Sequence, residues 1–352
     1  MGCWLMVWER LASASVSSSV TNTGWKLLKR ASGTGVNITT DTFADKDNIM
    51  ILHHTHTGSS TGTAGLRFNA DTNGNYANRF STDDGSDNTS QVNASNILNG
   101  VGYSNRSSFA VNEIVNVPTQ PKLLIGHATE NGGNNSSSIP NRREIVGVWN
   151  NSSNGITSAT LHERDGNGWG SSSEIIVLGC DNNESDSGEN FWQELGSVEL
   201  TSNSASSGTA SNPQMECTFT AKNYLMFEGY LKSNGDPQTC FNQDAGGNYH
   251  WSYVDDGSGS DASGGSNNSS AGFHYGGNEV YIRGFMVNKT GSQKQWIIDR
   301  LYNSTTGTGN TLVVREGSGK WNNTSAQCNS IGFKKNSMTM YAGSYFKVWG
   351  AD

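Results

Sequence analysis

A short loop of the sequence, whose outline recurs at Asp244–Asn248, has the composition of a cation site. This loop, Asp71-Thr72-Asn73-Gly74-Asn75, alternates carboxylate and amide side chains, and several such oxygens are what a hard cation such as Ca²⁺ binds. Asp71, Asn73 and Asn75 are therefore candidate calcium ligands. However, the glycine stands at the fourth position rather than the sixth, and no bidentate Glu follows at EF-hand spacing. A tight turn, in which Asp and Asn bond their own backbone, is the favoured alternative.

Four tryptophans lie in or beside polar loops rich in Asn: Trp25, Trp169, Trp251 and Trp321. An exposed indole ring stacks on the face of a pyranose, while neighbouring amides bond its hydroxyls. These four residues are candidate contacts for a glycan or a protein partner. Packing in a core or an interface is the favoured alternative, since a buried aromatic ring contributes a large apolar area.

One histidine cluster, His53-His54-Thr55-His56, stands in an apolar run. In a strand, His54 and His56 share a face and could bind a transition metal. We favour a solvated strand face, because the matching segment of the second half has no histidine.

The sequence has no H-E-x-x-H and no phosphate-binding loop. Its recurring Asp pair, Asp83-Asp84 and Asp255-Asp256, is followed each time by Gly-Ser and is typical of a turn. We therefore expect no enzymatic activity, no catalytic residues and no cofactor, apart from the candidate calcium loop.

The sequence segments that contain or surround these residues recur in the second half of the chain. Three segments recur in the same order, which indicates two tandem copies of one unit: Trp8–Ser13 with Trp192–Ser197, Phe68–Tyr76 with Phe241–Tyr249, and Thr160–Gly168 with Thr311–Gly319. We expect a first domain over 1–181, a linker over 182–191 and a second domain over 192–352. Residues kept in both copies are expected to hold the fold.

Short apolar runs separated by Gly, Asn and Ser predict strands, and no long window has helical periodicity. The predicted strands are Ile49–His54, Leu66–Asn69, Phe109–Val115, Lys122–His127, Glu144–Trp149, Thr157–His162, Glu174–Leu178, Tyr224–Leu231, Tyr249–Tyr253, Glu279–Val287, Gln295–Tyr302, Thr311–Val314, Met338–Tyr341 and Tyr345–Trp349. The predicted fold is all-β, with two tandem antiparallel β-sandwich domains, jelly-roll-like, from an internal duplication.

Composition excludes several partners. The net charge is −8 and no basic stripe is present, so we expect no nucleic-acid binding. No apolar run approaches membrane-spanning length, so we expect no membrane partner. The five cysteines form no CxxC motif, and an odd number of thiols is typical of folding in a reducing cytoplasm.

Copy one resembles a family of virion structural proteins from marine tailed phages, particularly cyanophages. The matching motifs are Trp8–Ser13, Leu66–Asp71 continuing through Asn75–Arg79, Asn141–Trp149 and Ser173–Gly179. The resemblance implies a particle component, such as a capsid-decorating, appendage or tail protein, and supplies no active-site residues. It reaches copy two only thinly, where Arg67 becomes Cys240.

These observations favour a virion subunit that assembles in the host cytoplasm into an ordered homo-oligomer and contacts other virion proteins. A carbohydrate-binding adhesin for surface glycans is the alternative, because aromatic residues accompany the Asn-rich loops. A double-jelly-roll capsid protein is a narrower variant of the first hypothesis.

Overall fold

The computed structural model describes residues 24–57, 62–82, 89–102, 106–130, 138–182, 190–255, 263–273, 279–303 and 313–352. In these ranges the chain forms 23 strands and no helix, so none of them contains a helix able to cross a membrane. The strands pair into antiparallel sheets. The prediction of an all-β, antiparallel β-sandwich fold is confirmed.

The chain divides into two compact units. Unit 1 comprises Met1–Glu130 and Arg143–Gln193, and unit 2 comprises Asn131–Arg142 and Glu194–Asp352. The sequence-based boundaries of 1–181 and 192–352 differ from this division around 131–142 and at residues 192 and 193.

Aromatic contacts account for the difference at the predicted linker, 182–191. The Phe191 N–H donates a 2.9 Å hydrogen bond to the Trp25 carbonyl oxygen, and the Phe191 ring meets Trp192 edge-to-face at 4.9 Å. Both rings are buried. Burial of two large aromatic side chains is a strong apolar contribution, so the end of the predicted linker belongs to unit 1. Residues 183–189 lie outside the described ranges.

Unit 1 contains a sheet of eight strands in the order β1-β12-β3-β8-β9-β10-β5-β6 and a sheet of four in the order β2-β11-β4-β7. The strands are β1 (Lys26–Ser32), β2 (Asn37–Thr39), β3 (Asn48–His56), β4 (Gly62–Phe68), β5 (Tyr76–Thr82), β6 (Thr89–Ala94), β7 (Ile97–Gly102), β8 (Ser107–Val115), β9 (Lys122–Glu130), β10 (Asn141–Trp149), β11 (Ala159–Glu163) and β12 (Glu174–Cys180).

Unit 2 contains a sheet of eight strands in the order β13-β23-β15-β19-β20-β21-β17-β18 and a sheet of three in the order β14-β22-β16. The strands are β13 (Gln193–Glu199), β14 (Met215–Thr218), β15 (Tyr224–Lys232), β16 (Gln238–Phe241), β17 (Tyr249–Asp255), β18 (Ser263–Asn268), β19 (Glu279–Val287), β20 (Lys294–Asn303), β21 (Val313–Trp321), β22 (Ser330–Lys334) and β23 (Tyr345–Ala351).

The core of each unit lies between its large and its small sheet. In unit 1, Ile51 and Ile114 from the large sheet join Leu66 and Leu161 from the small one. In unit 2 the same space holds more aromatic side chains, including Trp296. The period of two along each strand sends alternate residues into this core, as in β9, where Leu124 is buried and Leu123 and Ile125 are exposed.

The two large sheets have the same strand order when β1, β12, β3, β8, β9, β10, β5 and β6 are matched with β13, β23, β15, β19, β20, β21, β17 and β18. This match corrects one of the three proposed repeat pairs. Thr160 and His162 lie in β11 of the small sheet, whereas Val313–Gly319 lies in β21 of the large sheet. The counterpart of β21 is therefore β10, and the counterpart of β11 is β22.

The first member of the repeat pair that begins at Trp8, Trp8–Ser13, lies outside the described residues, and the duplication itself stays a prediction. One predicted strand, Met338–Tyr341, is also wrong. That segment makes only an isolated bridge between Met340 and Ser233. The backbone of this segment instead bonds to the end of β15, where the Tyr341 N–H donates to the Lys232 carbonyl oxygen at 2.8 Å.

Candidate functional site

The predicted calcium loop connects β4 to β5 and is an Asx turn. One Asp71 carboxylate oxygen, Oδ1, accepts the Asn73 N–H at 2.9 Å. The other, Oδ2, accepts Asn75 Nδ2–H at 2.9 Å and the indole N–H of Trp149 at 2.8 Å. The chain enters this turn through Asn69 and Ala70, whose φ angles of 51° and 54° are left-handed. Asn tolerates that region because its side chain can bond locally. Ala70 is strained there.

Tyr76 closes the same turn from the start of β5. Its hydroxyl accepts the Phe68 N–H at 2.9 Å and lies 3.2 Å from the Asp71 carbonyl oxygen, to which it can donate. The rings of Tyr76 and Trp149 stack, with centroids 6.3 Å apart and planes 17° apart. Both side chains are fully buried. Burial raises the pKa of Tyr76 above its ordinary value, so the hydroxyl stays protonated and remains able to donate.

Unit 2 repeats this arrangement bond for bond. Asp244 accepts the Gly246 N–H at 2.7 Å, Asn248 Nδ2–H at 2.9 Å and the indole N–H of Trp321 at 2.7 Å. The Tyr249 hydroxyl accepts the Phe241 N–H at 2.9 Å. The rings of Tyr249 and Trp321 stack at 6.3 Å and 10°. We call each set of three residues, Asp71–Tyr76–Trp149 and Asp244–Tyr249–Trp321, the aspartate–indole cluster of its unit.

Hydrogen bonding sets the charge of both aspartates. Burial alone raises the pKa of Asp71, but the bonds from Trp149, Asn75 and Asn73 outweigh it, and the net pKa is lowered. The pKa of Asp244 is lowered by the same balance, with burial opposed by bonds from Asn248, Trp321 and Gly246. A carboxylate that accepts several N–H bonds is held in its charged form. Each aspartate is therefore a charged acceptor within its own turn.

These contacts favour the turn over a calcium site. Both oxygens of the Asp71 carboxylate face N–H donors, one of which is the Nδ2–H of Asn75. Across the described ranges, no three His, Cys, Asp or Glu side chains are grouped as metal ligands. Calcium binding by Asp71, Asn73 and Asn75 stays a prediction. A cation would have to displace the indole N–H to reach Oδ2.

The loop tryptophans are not the exposed rings that a sugar surface requires. Trp321, Trp169 and Trp25 are 1%, 4% and 7% exposed, because their rings fill space beside the sheets rather than projecting from the loops. These three tryptophans are buried, as the favoured alternative of packing in a core or an interface predicts. Trp251 is half-buried.

The ring of Trp251 stacks on Tyr253, with centroids 5.4 Å apart, and the Arg315 guanidinium lies 4.0 Å from the Tyr253 centroid. In unit 1, Arg143 lies over Phe80 in the same way, at 4.7 Å. The cation–π contact therefore recurs in both units at matched strands. Trp251 is the member of the predicted set that keeps partial exposure next to this group.

The solvated face predicted for the histidine cluster is wrong. His53 and His54 are fully buried, and His56 is half-buried. In β3 every residue from Ile49 to Thr55 is buried, so this strand is covered on both faces, as the lack of alternation in its sequence indicates. His53 points into the core, where Nε2 lies 2.6 Å from Asn99 Oδ1. Burial lowers the pKa of His53 to about 4, so its ring is neutral at pH 7.

Two asparagines that are not among the predicted site residues join neighbouring loop segments. Asn69 Oδ1 accepts the N–H groups of Thr157 and Ser158 at 2.8 and 3.1 Å. Its counterpart Asn242 accepts those of Asn329 and Ser330 at 2.8 and 3.2 Å. Buried backbone donors need such partners. The matched pair Asn69 and Asn242, each directly after a phenylalanine, could have been found by comparing the repeated segments.

No family model and no curated protein matches the chain. Among solved structures, the chain is similar to domains LG4-5 of the mouse laminin alpha1 chain at 9% identity, over 95% of this chain and 92% of that one, with a TM-score of 0.20. It is similar to a putative thioesterase from Novosphingobium aromaticivorans at 5% identity, over 77% and 94%, with a TM-score of 0.14. Scores this low carry no argument about function.

Proposed function

We propose that this chain is a non-enzymatic virion structural protein, a capsid-decorating, appendage or tail component that assembles into an ordered oligomer through its β-sandwich surfaces. The observation that carries the proposal is the repeated aspartate–indole cluster. In both units the aspartate, tyrosine and tryptophan that could serve a site are engaged by the chain's own donors and acceptors. These side chains stabilise two similar sandwiches and leave the sheet surfaces for association.

The motifs that resemble phage virion proteins support the particle assignment. Two of them, Leu66–Asp71 and Asn141–Trp149, supply the aspartate and tryptophan of the unit 1 cluster. The resemblance therefore rests on residues with a demonstrable role in the fold. A subunit of a repetitive particle needs a rigid fold with free faces, and a saturated polar network provides that rigidity.

Immunogold labelling and negative-stain imaging of virions test the proposal. We expect labelling at a regular position on the particle, and light scattering of the purified protein should give a discrete oligomer. Unlabelled virions, with the protein recovered only as a monomer in the soluble fraction, would overturn it. A pseudo-sixfold trimer in the images would support the double-jelly-roll variant instead.

The adhesin alternative now depends on Trp251. This ring stacks on the buried Tyr253 and packs against the core of unit 2, and among the four candidate tryptophans it alone keeps partial exposure. A glycan array with and without calcium tests it. Binding that is lost on Trp251→Ala would favour the adhesin, whereas an array without signal in either condition would remove this alternative.

A further inference from the structure

The outer face of the large sheet of unit 1 carries a row of exposed aliphatic side chains. Leu123 and Ile125 of β9 are 61% and 60% exposed, Val146 of β10 is 51% exposed, and Val115 of β8 is 45% exposed. Val115 pairs directly with Leu123, and β9 is the neighbour of β10 in the sheet. These four residues, the aliphatic face, therefore form one continuous surface across three adjacent strands.

An aliphatic surface of this kind marks an interaction site. Single exposed aliphatic residues are ordinary, but contiguous ones across a sheet face are typical of a binding surface. The matched positions of unit 2 differ in exposure, and two of the three also differ in chemistry. Gln295, Ile297 and Ser318, the counterparts of Leu123, Ile125 and Val146, are 0%, 4% and 1% exposed. The same face is thus a buried packing surface in one unit and an open one in the other.

Two charged residues stand on opposite sides of the aliphatic face. Glu113 of β8 pairs with Ile125, and Arg79 of β5 pairs with Val146. The strand order β8-β9-β10-β5 puts the acid and the base about 14 Å apart, three strand spacings, with the aliphatic residues between them. In the row of residues that contains Ile125 and Val146, an acid therefore stands on the β8 side and a base on the β5 side.

This charge arrangement is complementary to itself. A twofold axis that runs parallel to the strands, between β9 and β10, brings the β8 side of one copy opposite the β5 side of the other. Ile125 and Val146 match Ile297 and Ser318, which pair directly in unit 2. With the same register in unit 1, Glu113 of each copy then faces Arg79 of its partner, and Ile125 faces Val146. An interface with twofold symmetry requires such pairing of a patch with itself. Two flat aliphatic sheet faces also satisfy ordinary sheet-on-sheet packing, about 10 Å apart.

Other occupants fit this face less well. Its centre is made of Leu, Ile and Val, which offer no aromatic ring for a sugar. Its flanks carry one acid and one base, in a chain with a net charge of −8, which does not favour an anionic membrane or nucleic acid. We propose that the aliphatic face of unit 1 binds the same face of a second copy of this chain about a twofold axis. The proposal rests on the proposed function, because it identifies one surface through which the oligomer forms.

Sedimentation velocity of the full chain tests the interface. We expect a dimer that dissociates on dilution. Ile125→Asp should raise the dissociation constant at least about tenfold, because it places a charge at the desolvated centre. Val314→Asp is the matched control, since Val314 of β21 is an aliphatic residue that is 50% exposed in unit 2, and it should leave the constant unchanged. Thermal unfolding of both variants shows whether each is folded.

Charge reversal tests the twofold geometry without altering the aliphatic centre. Arg79→Glu and Glu113→Arg should each weaken the dimer several-fold, since like charges then face each other. The double variant should regain most of the lost affinity, because the pairs are restored with opposite polarity. A wild-type monomer at every concentration, an Ile125→Asp dimer as tight as the wild type, or a double variant no tighter than the single ones would overturn the proposal.

The two proposals fail separately. A protein that is found in virions but does not dimerise through this face would contradict the interface alone. A dimer that responds to Ile125→Asp as expected, but is absent from virions, would contradict the particle assignment and leave the interface standing.

Discussion

The indole N–H of Trp149 donates a 2.8 Å hydrogen bond to the carboxylate of Asp71, 78 residues earlier in the chain. Asp244 and Trp321 form the same bond at 2.7 Å, across 77 residues. Each bond ties the turn before one strand of the large sheet to the end of the neighbouring strand, since Tyr76 pairs with Trp149 and Tyr249 with Trp321. The relationship identifies a common structural role for the repeated motifs.

Removing the carboxylate should destabilise the protein strongly. Asp71→Ala leaves the indole N–H of Trp149, which is fully buried, without its acceptor. Loss of a charged acceptor from buried donors costs about 2–4 kcal/mol of unfolding free energy. Denaturant titration followed by circular dichroism measures the change. Asp41→Ala is the control, because the Asp41 side chain is 90% exposed, and a similar loss for both variants would contradict the assigned role.

Calcium should have little effect on stability. Both Asp71 oxygens already accept N–H bonds, so binding a cation would break them. We expect the thermal midpoint to change by less than about 1 °C between saturating calcium and a chelator. A rise that saturates with calcium, and that is lost in Asp71→Asn, would show instead that the turn is a metal site.

Lowering the pH should reduce the folding stability of the protein in two steps that have different causes. The pKa of His53 is lowered to about 4 in the folded chain, so the unfolded chain takes up a proton first, and stability falls as the pH drops from about 6.5 to about 4. This step lowers the free energy of unfolding by about 3 kcal/mol. The lowered pKa values of Asp71 and Asp244 act below it: their contribution is complete above the unfolded value near 3.9 and is lost as the pH falls further.

His53→Gln distinguishes the two steps. It removes the titrating ring while keeping a polar side chain near Asn99, so the dependence of unfolding free energy on pH should flatten between about 6.5 and 4. The slope does not vanish, because the pKa of His250 in unit 2 is also lowered to about 4 by burial. An unchanged slope in the variant would mean that His53 is not held neutral.

One glycine of β21 should tolerate no side chain. A Cβ at Gly319 would overlap the buried ring of Trp296, and overpacking a core costs about 1–3 kcal/mol or more. Gly319→Ala should therefore lower the denaturation midpoint clearly. Gly33→Ala is the control, since the nearest atom to a Cβ there is 3.8 Å away. Equal stability of the two variants would contradict the packing between β20 and β21.

The strand pattern could be predicted from the sequence where apolar residues form long runs. The apolar run predicts a strand over Glu279–Val287, and β19 has the same bounds. Short strands of the small sheets were missed, because Asn37–Thr39 and Gln238–Phe241 have only three or four residues and no alternation to detect. The repeat beginning at Thr160 is matched to the wrong strand, because both segments share Thr-Leu and a Gly-x-Gly, although the second Gly-x-Gly, Gly317–Gly319, lies within β21.

The site was harder to predict than the fold. The sequence indicated that Asp71 belongs to a turn, but not that Trp149 would cap it, since that bond depends on the pairing of β5 with β10. The candidate role of the four tryptophans in glycan binding rests on their polar neighbours along the chain, with core packing as the favoured alternative. Burial is decided instead by neighbours across the sheets, as for Trp321, which packs against Phe241.

Peptide mass spectrometry of gradient-purified virions, from a culture that produces the chain, tests the central claim most directly. A structural subunit should be recovered in many copies per particle, in a fixed ratio to the major capsid protein that persists through repeated gradients. Absence of the chain from the particles, with its full recovery in the soluble fraction of the same lysate, would contradict the account.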